Sequence, residues 1–467
     1  MIINWKPDKS IETPLYIQIV DYFINMIKKG YFVAKERFPS QRNLAEIFSV
    51  NRSTVVLAMD ELKAQGFVIT NGKGGTYVSK HCWIKNRENI TLNSFLSLGI
   101  LKRKNKIYKK IEENYSKVKV DFSKGELDES LYPNNTMKKI IAEVSFEISD
   151  LSYGNKNGDK GLIKKIKEEM IDLGIDMEQN DILIVSGATQ GLFLVALGMI
   201  SQGNIIKTRM PSYMKSLEIF NAAGLKIEDF SYDKKTLYNA FYMIPTFHNP
   251  TTNLMSSLDR EFFMNKYGRH NLIIEDDVFR DLWYDSEPPN PLKSYVGGEN
   301  VIYVNSFSKT LATGLRVGWI CASSDIIKKL SEIKSQIDSS TALINQKIVL
   351  KWLESSEYVK NINNIRKELK KRRDLIDDIL SRDFKDIFLW SIPKGGYYYW
   401  IKSKDNIKAL DIFERALEYG LLVNPGDLYG EKESSSIRIS FASCEEEKIK
   451  GGFKILKKVM NSLKYGL

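Results

Sequence analysis

Cysteine and histidine are scarce in this chain. Its 467 residues hold three of each, Cys82, Cys321 and Cys444 and His81, His248 and His270, with no CxxC pair. That excludes a disulfide framework and a cysteine zinc site, and it leaves no histidine-rich metal centre. Long apolar runs are missing as well. No stretch approaches the roughly 18 uninterrupted apolar residues of a membrane span, and the opening MIINWKPDKS has neither the basic nor the apolar region of a signal peptide. The chain is therefore expected in the cytoplasm, without a membrane partner. Several signature strings are also absent: GxxxxGK[ST], GxGxxG after a strand, HExxH and GxSxG. ATPase, simple dehydrogenase, zinc protease and α/β-hydrolase readings lose their main support.

What is present is an ordinary globular composition, 43% hydrophobic and 27% charged, long enough for two to four domains at roughly 100–200 residues each. The net charge of +11 is unevenly placed. Residues 1–120 carry 21 lysines and arginines against 10 acidic residues, whereas residues 121–467 carry 48 of each sign. A basic front end on a neutral body suggests a polyanion at the front and a small ligand behind it.

The front end has helical and hairpin signals in quick succession. Ile17, Val20, Ile24 and Ile27 recur at helical spacing between Pro14 and Gly30. Ser40 is placed to cap QRNLAEIF, and Asn51 to cap RSTVVLAMDELKAQ, which Gly66 closes. FVIT-NGKGG-TYV then reads as two strands around an Asn-Gly turn. Three helices and a hairpin predict a winged helix-turn-helix over 11–79. Residues 80–118, with the cluster KRKNKIYKK, read as a basic linker containing some helix. From 119 to 467, apolar runs such as ILIV, FYMI, LIIE, VIYV and VGWI alternate with helical patterns. These predict an α/β domain whose strands are covered on both faces. The later pieces GGYYYWI and SIRISFA predict a small α+β subdomain over about 345–467.

Candidate chemistry gathers at strand ends, where open α/β sheets bind ligands. ILIV runs into Ser186-Gly187-Ala188-Thr189-Gln190, a helix start able to receive an anion. LIIE ends in the adjacent carboxylates Asp276 and Asp277. One of them could cap or pair locally, while a buried carboxylate there could hold a cationic ring nitrogen. In VNSFSKTLATGLRVGW, Lys309 stands between hydroxyls (Ser306, Ser308) and Arg316. A neighbouring cation favours a neutral, nucleophilic lysine, and hydroxyls with a guanidinium suit a phosphate dianion.

The lysine string resembles the cofactor motif of fold-type I pyridoxal phosphate aminotransferases, and the other pieces follow in that family's order over about 119–467. The resemblance implies pyridoxal 5'-phosphate as cofactor and Lys309 as its Schiff-base lysine. Ala188, Thr189, Ser306, Ser308 and Arg316 would hold the phosphate, and Tyr213, in MPSYMKS, would stack on the ring. Asn249, in FHNPTT, would bond the ring hydroxyl, and Asp276 would pair with the ring nitrogen. Tyr153, in LSYGNKNG, would reach the neighbouring subunit's phosphate, and Arg438, in SIRISFA, would grip a substrate or effector carboxylate. The sequence departs from the family after Asp276: the expected tyrosine is replaced by Val278 and Phe279, which points away from efficient turnover.

The front end resembles GntR-type DNA-binding domains through PLYIQI, FPSQRNLAEIFSVNRSTVVLAMDEL and NGKGGTYV. The resemblance implies contacts with double-stranded operator half-sites through Arg42, Arg52, Ser53 and Thr54, and through the wing glycines Gly72 and Gly74. A GntR winged helix joined to an aminotransferase-like domain resembles the MocR-type regulators. It implies a homodimer, which in that family can exchange domains head to tail. It also implies a transcriptional regulator that senses pyridoxal phosphate or an amino compound through an aldimine and changes operator binding. The alternative is a working aminotransferase of an amino acid that carries a DNA-binding domain.

Overall fold

The structure, a computed structural model, describes residues 5–11, 13–28, 31–32, 35–70, 75–79, 105–147, 153–230, 240–430 and 434–465, with backbone alone at 214–216 and 465. The chain divides into two compact units, 1–103 and 104–467. Among the described residues no helix is long and apolar enough to cross a membrane, and no cluster of histidine, cysteine, aspartate or glutamate could hold a metal ion.

The first unit contains α1 (Leu15–Lys28), α2 (Gln41–Phe48) and α3 (Arg52–Ala64), followed by β1 (Val68–Thr70) and β2 (Thr76–Val78). The predicted caps form. Ser40 accepts the Asn43 amide at the start of α2, and Asn51 accepts the Ser53 amide at the start of α3. Gly66 takes φ +78° beyond the end of α3, a left-handed conformation that L side chains rarely adopt. The strands pair antiparallel, Val68 opposite Val78. The core is aromatic: Phe23 meets Phe32, Phe38 and Phe48 edge-on, with centroids 5.0–5.7 Å apart. Fully burying each such ring contributes about 1.5–3 kcal/mol. Gly72 and Gly74 lie outside the described residues.

The second unit begins with α4 (Lys106–Asn114), inside the segment read from sequence as a linker. Its main sheet contains β4 (Asn180–Val185), β5 (Ile205–Thr208), β6 (Lys226–Asp229), β7 (Ala240–Met243), β8 (Leu272–Asp276), β9 (Val301–Ser306) and β10 (Gly318–Ser323). Their order is β4-β10-β9-β8-β7-β5-β6. The neighbouring pairs from β6 to β9 are parallel, while β10 runs antiparallel between β9 and β4. Apolar clusters on the two faces explain the near-continuous hydrophobic strands: one includes Leu192 and Val195, the other Ile166 and Trp352.

The small sheet has β11 (Phe388–Trp390), β12 (Tyr398–Ser403), β15 (Ser436–Ser440) and β14 (Asn424–Pro425), in that order. Its core also takes Val120, Phe122, Leu127 and Leu131. There β3 (Val120–Asp121) pairs in parallel with β13 (Leu421–Leu422). The segment 120–131 thus belongs with a subdomain whose other residues come hundreds of positions later.

Candidate functional site

In the first unit, Arg42 lies on α2, while Arg52, Ser53 and Thr54 open α3. Arg42, Arg52 and Ser53 are exposed and Thr54 is half-buried. Arg42 faces Glu46 at 3.6 Å, with both side chains mostly in solvent. Such a pair contributes only about 0–1 kcal/mol and gives way readily to a phosphate.

In the second unit, one cavity of about 380 Å³ gathers ten sequence-nominated residues: Ala188, Thr189, Tyr213, Asn249, Asp276, Ser306, Ser308, Lys309, Arg316 and Arg438. Tyr153 is not among its lining residues and is 75% exposed.

Lys309 sits in the 3₁₀ turn Phe307–Lys309, where β9 leaves the sheet, and its Nζ donates to the Gly125 carbonyl at 2.8 Å. The Tyr397 hydroxyl donates to the same carbonyl at 2.7 Å. Gly125 is held small by its surroundings, since a Cβ there would lie 2.8 Å from the Tyr398 hydroxyl. At the other end, Ser306 Oγ donates to Ser308 Oγ at 2.9 Å, and Arg316 reaches Ser308 Oγ at 3.3 Å and the Ser186 carbonyl at 3.3 Å. The helix α7 starts at Ala188 (Ala188–Met199), counting Asn134–Glu147 as α5 and Lys160–Asp172 as α6. The preceding Gly187 has φ +82°, and a Cβ there would come within 2.5 Å of the Arg316 guanidinium. Hydroxyls, a guanidinium and a helix N-terminus converge here on space suited to a dianion.

The two strand-end carboxylates separate. Asp277 bonds Arg280 at 3.1 Å, so it is locally paired. Asp276 faces the cavity, accepting from the Tyr242 hydroxyl at 2.7 Å and from the Val278 amide at 3.4 Å. Burial pushes its carboxyl up to about 6, although the Tyr242 bond opposes the shift. A cationic ring nitrogen beside it would offset that burial cost.

Arg438, on β15, donates to Asn249 Oδ1 at 3.1 Å and to the Ser123 carbonyl at 3.0 Å. Its guanidinium lies 3.9 Å from the centre of the Tyr398 ring, and its buried Nε has no hydrogen-bond partner. The aromatic face and the unused donor favour a carboxylate. Phe279, at the departure from the family pattern, is buried with its ring 5.8 Å from Lys309 Nζ.

Sequence reasoning missed part of this wall. Tyr108, Tyr115, the segment Ser123–Glu126 and Tyr398 all line the cavity. Tyr398 carried a signal, since it follows the Gly395-Gly396 pair in a strand-like string. Tyr108 and Tyr115 carried none, being single tyrosines in a basic segment read as a tether.

The residues fit pyridoxal phosphate: an anion cradle, a lysine, a buried carboxylate and an arginine share one cavity, and two glycines keep it clear. Both units also match known proteins. A family model described as aminotransferase class I and II matches residues 117–455, and one described as bacterial regulatory proteins, gntR family, matches residues 15–78. The HTH-type transcriptional regulator YisV of Bacillus subtilis strain 168 is 32% identical over 468 aligned positions, covering 97% of each chain. The HTH-type transcriptional regulator NorG of Staphylococcus aureus strain N315 is 35% identical, covering 89% of this chain and 97% of its own. Kynurenine aminotransferase of Pyrococcus horikoshii, solved in complex with PMP, shares the fold with a TM-score of 0.74 at 24% identity, covering 81% of this chain and 99% of its own. LysN, an α-aminoadipate aminotransferase of Thermus thermophilus complexed with N-(5'-phosphopyridoxyl)-L-leucine, gives 0.69 at 25% identity, covering 76% and 95%. A GntR region continuous with a class I and II aminotransferase domain, shared end to end with HTH-type regulators, places this chain in the MocR-type subfamily of the GntR family.

Proposed function

We propose that this chain is a DNA-binding transcriptional regulator whose aminotransferase-like unit senses pyridoxal phosphate or an amino compound. The observation that carries the reading is the meeting of Lys309, Asp276, Arg316 and Arg438 in one cavity of a chain that also carries a GntR region. When bound, pyridoxal phosphate supplies an aldehyde that captures primary amines and a ring that accepts electrons.

The chain's own residues divide the work. Ser306, Ser308, Arg316 and the amides of Ala188 and Thr189 hold the phosphate, Asp276 keeps a proton on the ring nitrogen, and Asn249 orients the ring hydroxyl. Tyr213 would pack on the ring, and Lys309 would supply the amine that anchors the cofactor. Arg438 selects a carboxylate. In the first unit, Arg52, Ser53 and Thr54 would meet the major groove, Arg42 would meet the backbone, and Gly72 and Gly74 would let the wing approach the minor groove. A ligand changes operator affinity only through its differential affinity for two arrangements of the protein. The exposed Tyr153, outside the cavity of its own chain, supports a homodimer in which it serves the partner's site.

The test is absorbance titration of the full chain with pyridoxal phosphate. Affinity is also measured, with and without the cofactor, for a duplex that the chain selects from a random pool. The unmodified chain is expected to bind the cofactor and change its DNA affinity, whereas Lys309→Ala loses both responses. An unchanged DNA response in Lys309→Ala would sink the reading.

The presence of all the reacting groups in one cavity also supports the second reading, a working aminotransferase. Sustained conversion of an amino acid to its keto acid, with a second keto acid aminated in turn, would move that reading ahead. Val278 and Phe279, where the family offers a tyrosine, argue for slow turnover.

A further inference from the structure

The segment joining the two units enters the second unit through α4. This helix has nine residues, too short to persist in water by itself, so its order depends on what it packs against. Its anchor is Ile111, 1% exposed, in a cluster with Phe413, Leu422, Leu428 and Tyr429. Lys110 adds an ion pair with Glu414. Tyr108 lies three residues before Ile111 and Tyr115 four after it, a spacing that puts all three on one side of the helical path. Both tyrosines line the cavity that contains Lys309 and Arg438.

The environment of these rings is specific. Lys124 Nζ lies 5.5 Å from the Tyr115 ring. The adjoining carbonyls of Ser123 and Gly125 accept from Arg438 and Lys309, respectively. Tyr115 therefore borders the segment that touches both the anchoring lysine and the carboxylate-binding arginine, and Tyr108 lines the same cavity. Neither tyrosine belongs to a string that the cofactor reading uses, so their place on the cavity wall bears on what lies beyond the cofactor.

Building on that reading, we propose that Tyr108 and Tyr115 form the outer wall of the amine compartment. They contact the side chain of a carboxylated primary amine held at Arg438, and α4 is the element that this contact orders. An aromatic side chain is the class the two rings favour, through offset or edge-on ring contacts. Such an amine binds the docked helix better than the undocked one, so its binding shifts the helix toward the docked state. A small amino acid lacks this reach and shifts it less.

The experiment is hydrogen exchange of the full chain, alone, with pyridoxal phosphate, and with the cofactor plus L-phenylalanine or L-alanine. Cofactor binding is followed in parallel by absorbance. Slower exchange over 106–115 is expected with L-phenylalanine than with L-alanine, as is about tenfold tighter binding of L-phenylalanine, the effect of one well-packed aromatic contact. In Tyr108→Ala/Tyr115→Ala both differences vanish while cofactor binding persists. The Tyr108→Phe/Tyr115→Phe protein retains them, which separates ring contact from misfolding. Equal protection by the two amino acids, or a double alanine protein that still discriminates, overturns the proposal. A chain that does not bind the cofactor at all overturns the underlying reading together with it.

Discussion

Asp276 shows how one residue exchanges stability for binding. Its carboxyl is raised from 3.8 to about 6 by burial, so between those pH values the folded chain holds more protons than the unfolded one. Stability falls as pH rises through that window, and the full cost applies above about pH 6. Asp276→Asn removes the buried charge. The cofactor-free protein should gain about 1–3 kcal/mol at pH 7 and almost nothing at pH 4, measured by urea unfolding at the two pH values. The same protein should bind pyridoxal phosphate more weakly, because the ring nitrogen loses its anionic partner. A lower stability at pH 7 would contradict this account. Arg438 permits a second prediction at this scale. Its guanidinium lies over Tyr398 and bonds Asn249 and the Ser123 carbonyl, a planar arrangement that an ammonium cannot reproduce. Arg438→Lys should weaken binding of amino acids to the cofactor-loaded chain about tenfold or more, while simple alkylamines without a carboxylate are little affected.

The short helices of the first unit are stabilised by their ends as well as their faces. Asn51 accepts the Ser53 amide and Ser40 accepts the Asn43 amide, and losing such a cap typically costs about 1 kcal/mol. Asn51→Ala should therefore lower the stability of this unit by about that amount and also weaken DNA binding, since Arg52 and Ser53 follow the cap directly. Ser40→Ala should cost a similar amount of stability with a smaller DNA effect, measured by thermal unfolding beside a duplex titration. These caps were legible because serine and asparagine stood immediately before helical periodicity. The strands containing ILIV, FYMI, LIIE, VIYV and VGWI were equally plain, being buried between two helical layers. The strands β5 and β6 were not. β5 carries Lys207, which the fold buries, and β6 is a mostly exposed edge strand, KIED, so neither shows an apolar run. The lysine, carboxylate and arginine of the cavity could be found because each sits in a recognisable string at a strand end. Tyr108 and Tyr115 could not, because only tertiary packing brings α4 to the cavity.

At the scale of the whole chain, charge separates the two activities. The excess of positive charge lies in residues 1–120, and the remainder is balanced. DNA affinity should fall steeply as salt is raised, since each neutralised phosphate releases counterions, whereas cofactor binding should vary much less. Arg52→Ala should reduce the slope of log affinity against log salt by about one if Arg52 meets a phosphate. An unchanged slope with reduced discrimination between duplexes would instead assign it to a base edge.

The small subdomain has a consequence for the order of synthesis. Val120 and Phe122 share a core with Leu456 and Val459, so the body cannot close until residues 456–459 have been made. Among the described residues, the buried core of the first unit is drawn from positions between Ile19 and Val78. A message cut short before Leu456 would thus yield a chain with an intact DNA-binding head and an unfinished aminotransferase-like body. Such a product would keep its DNA-binding unit without a closed aminotransferase-like body, so frameshifts upstream of Leu456 should behave as dominant alleles rather than as simple losses.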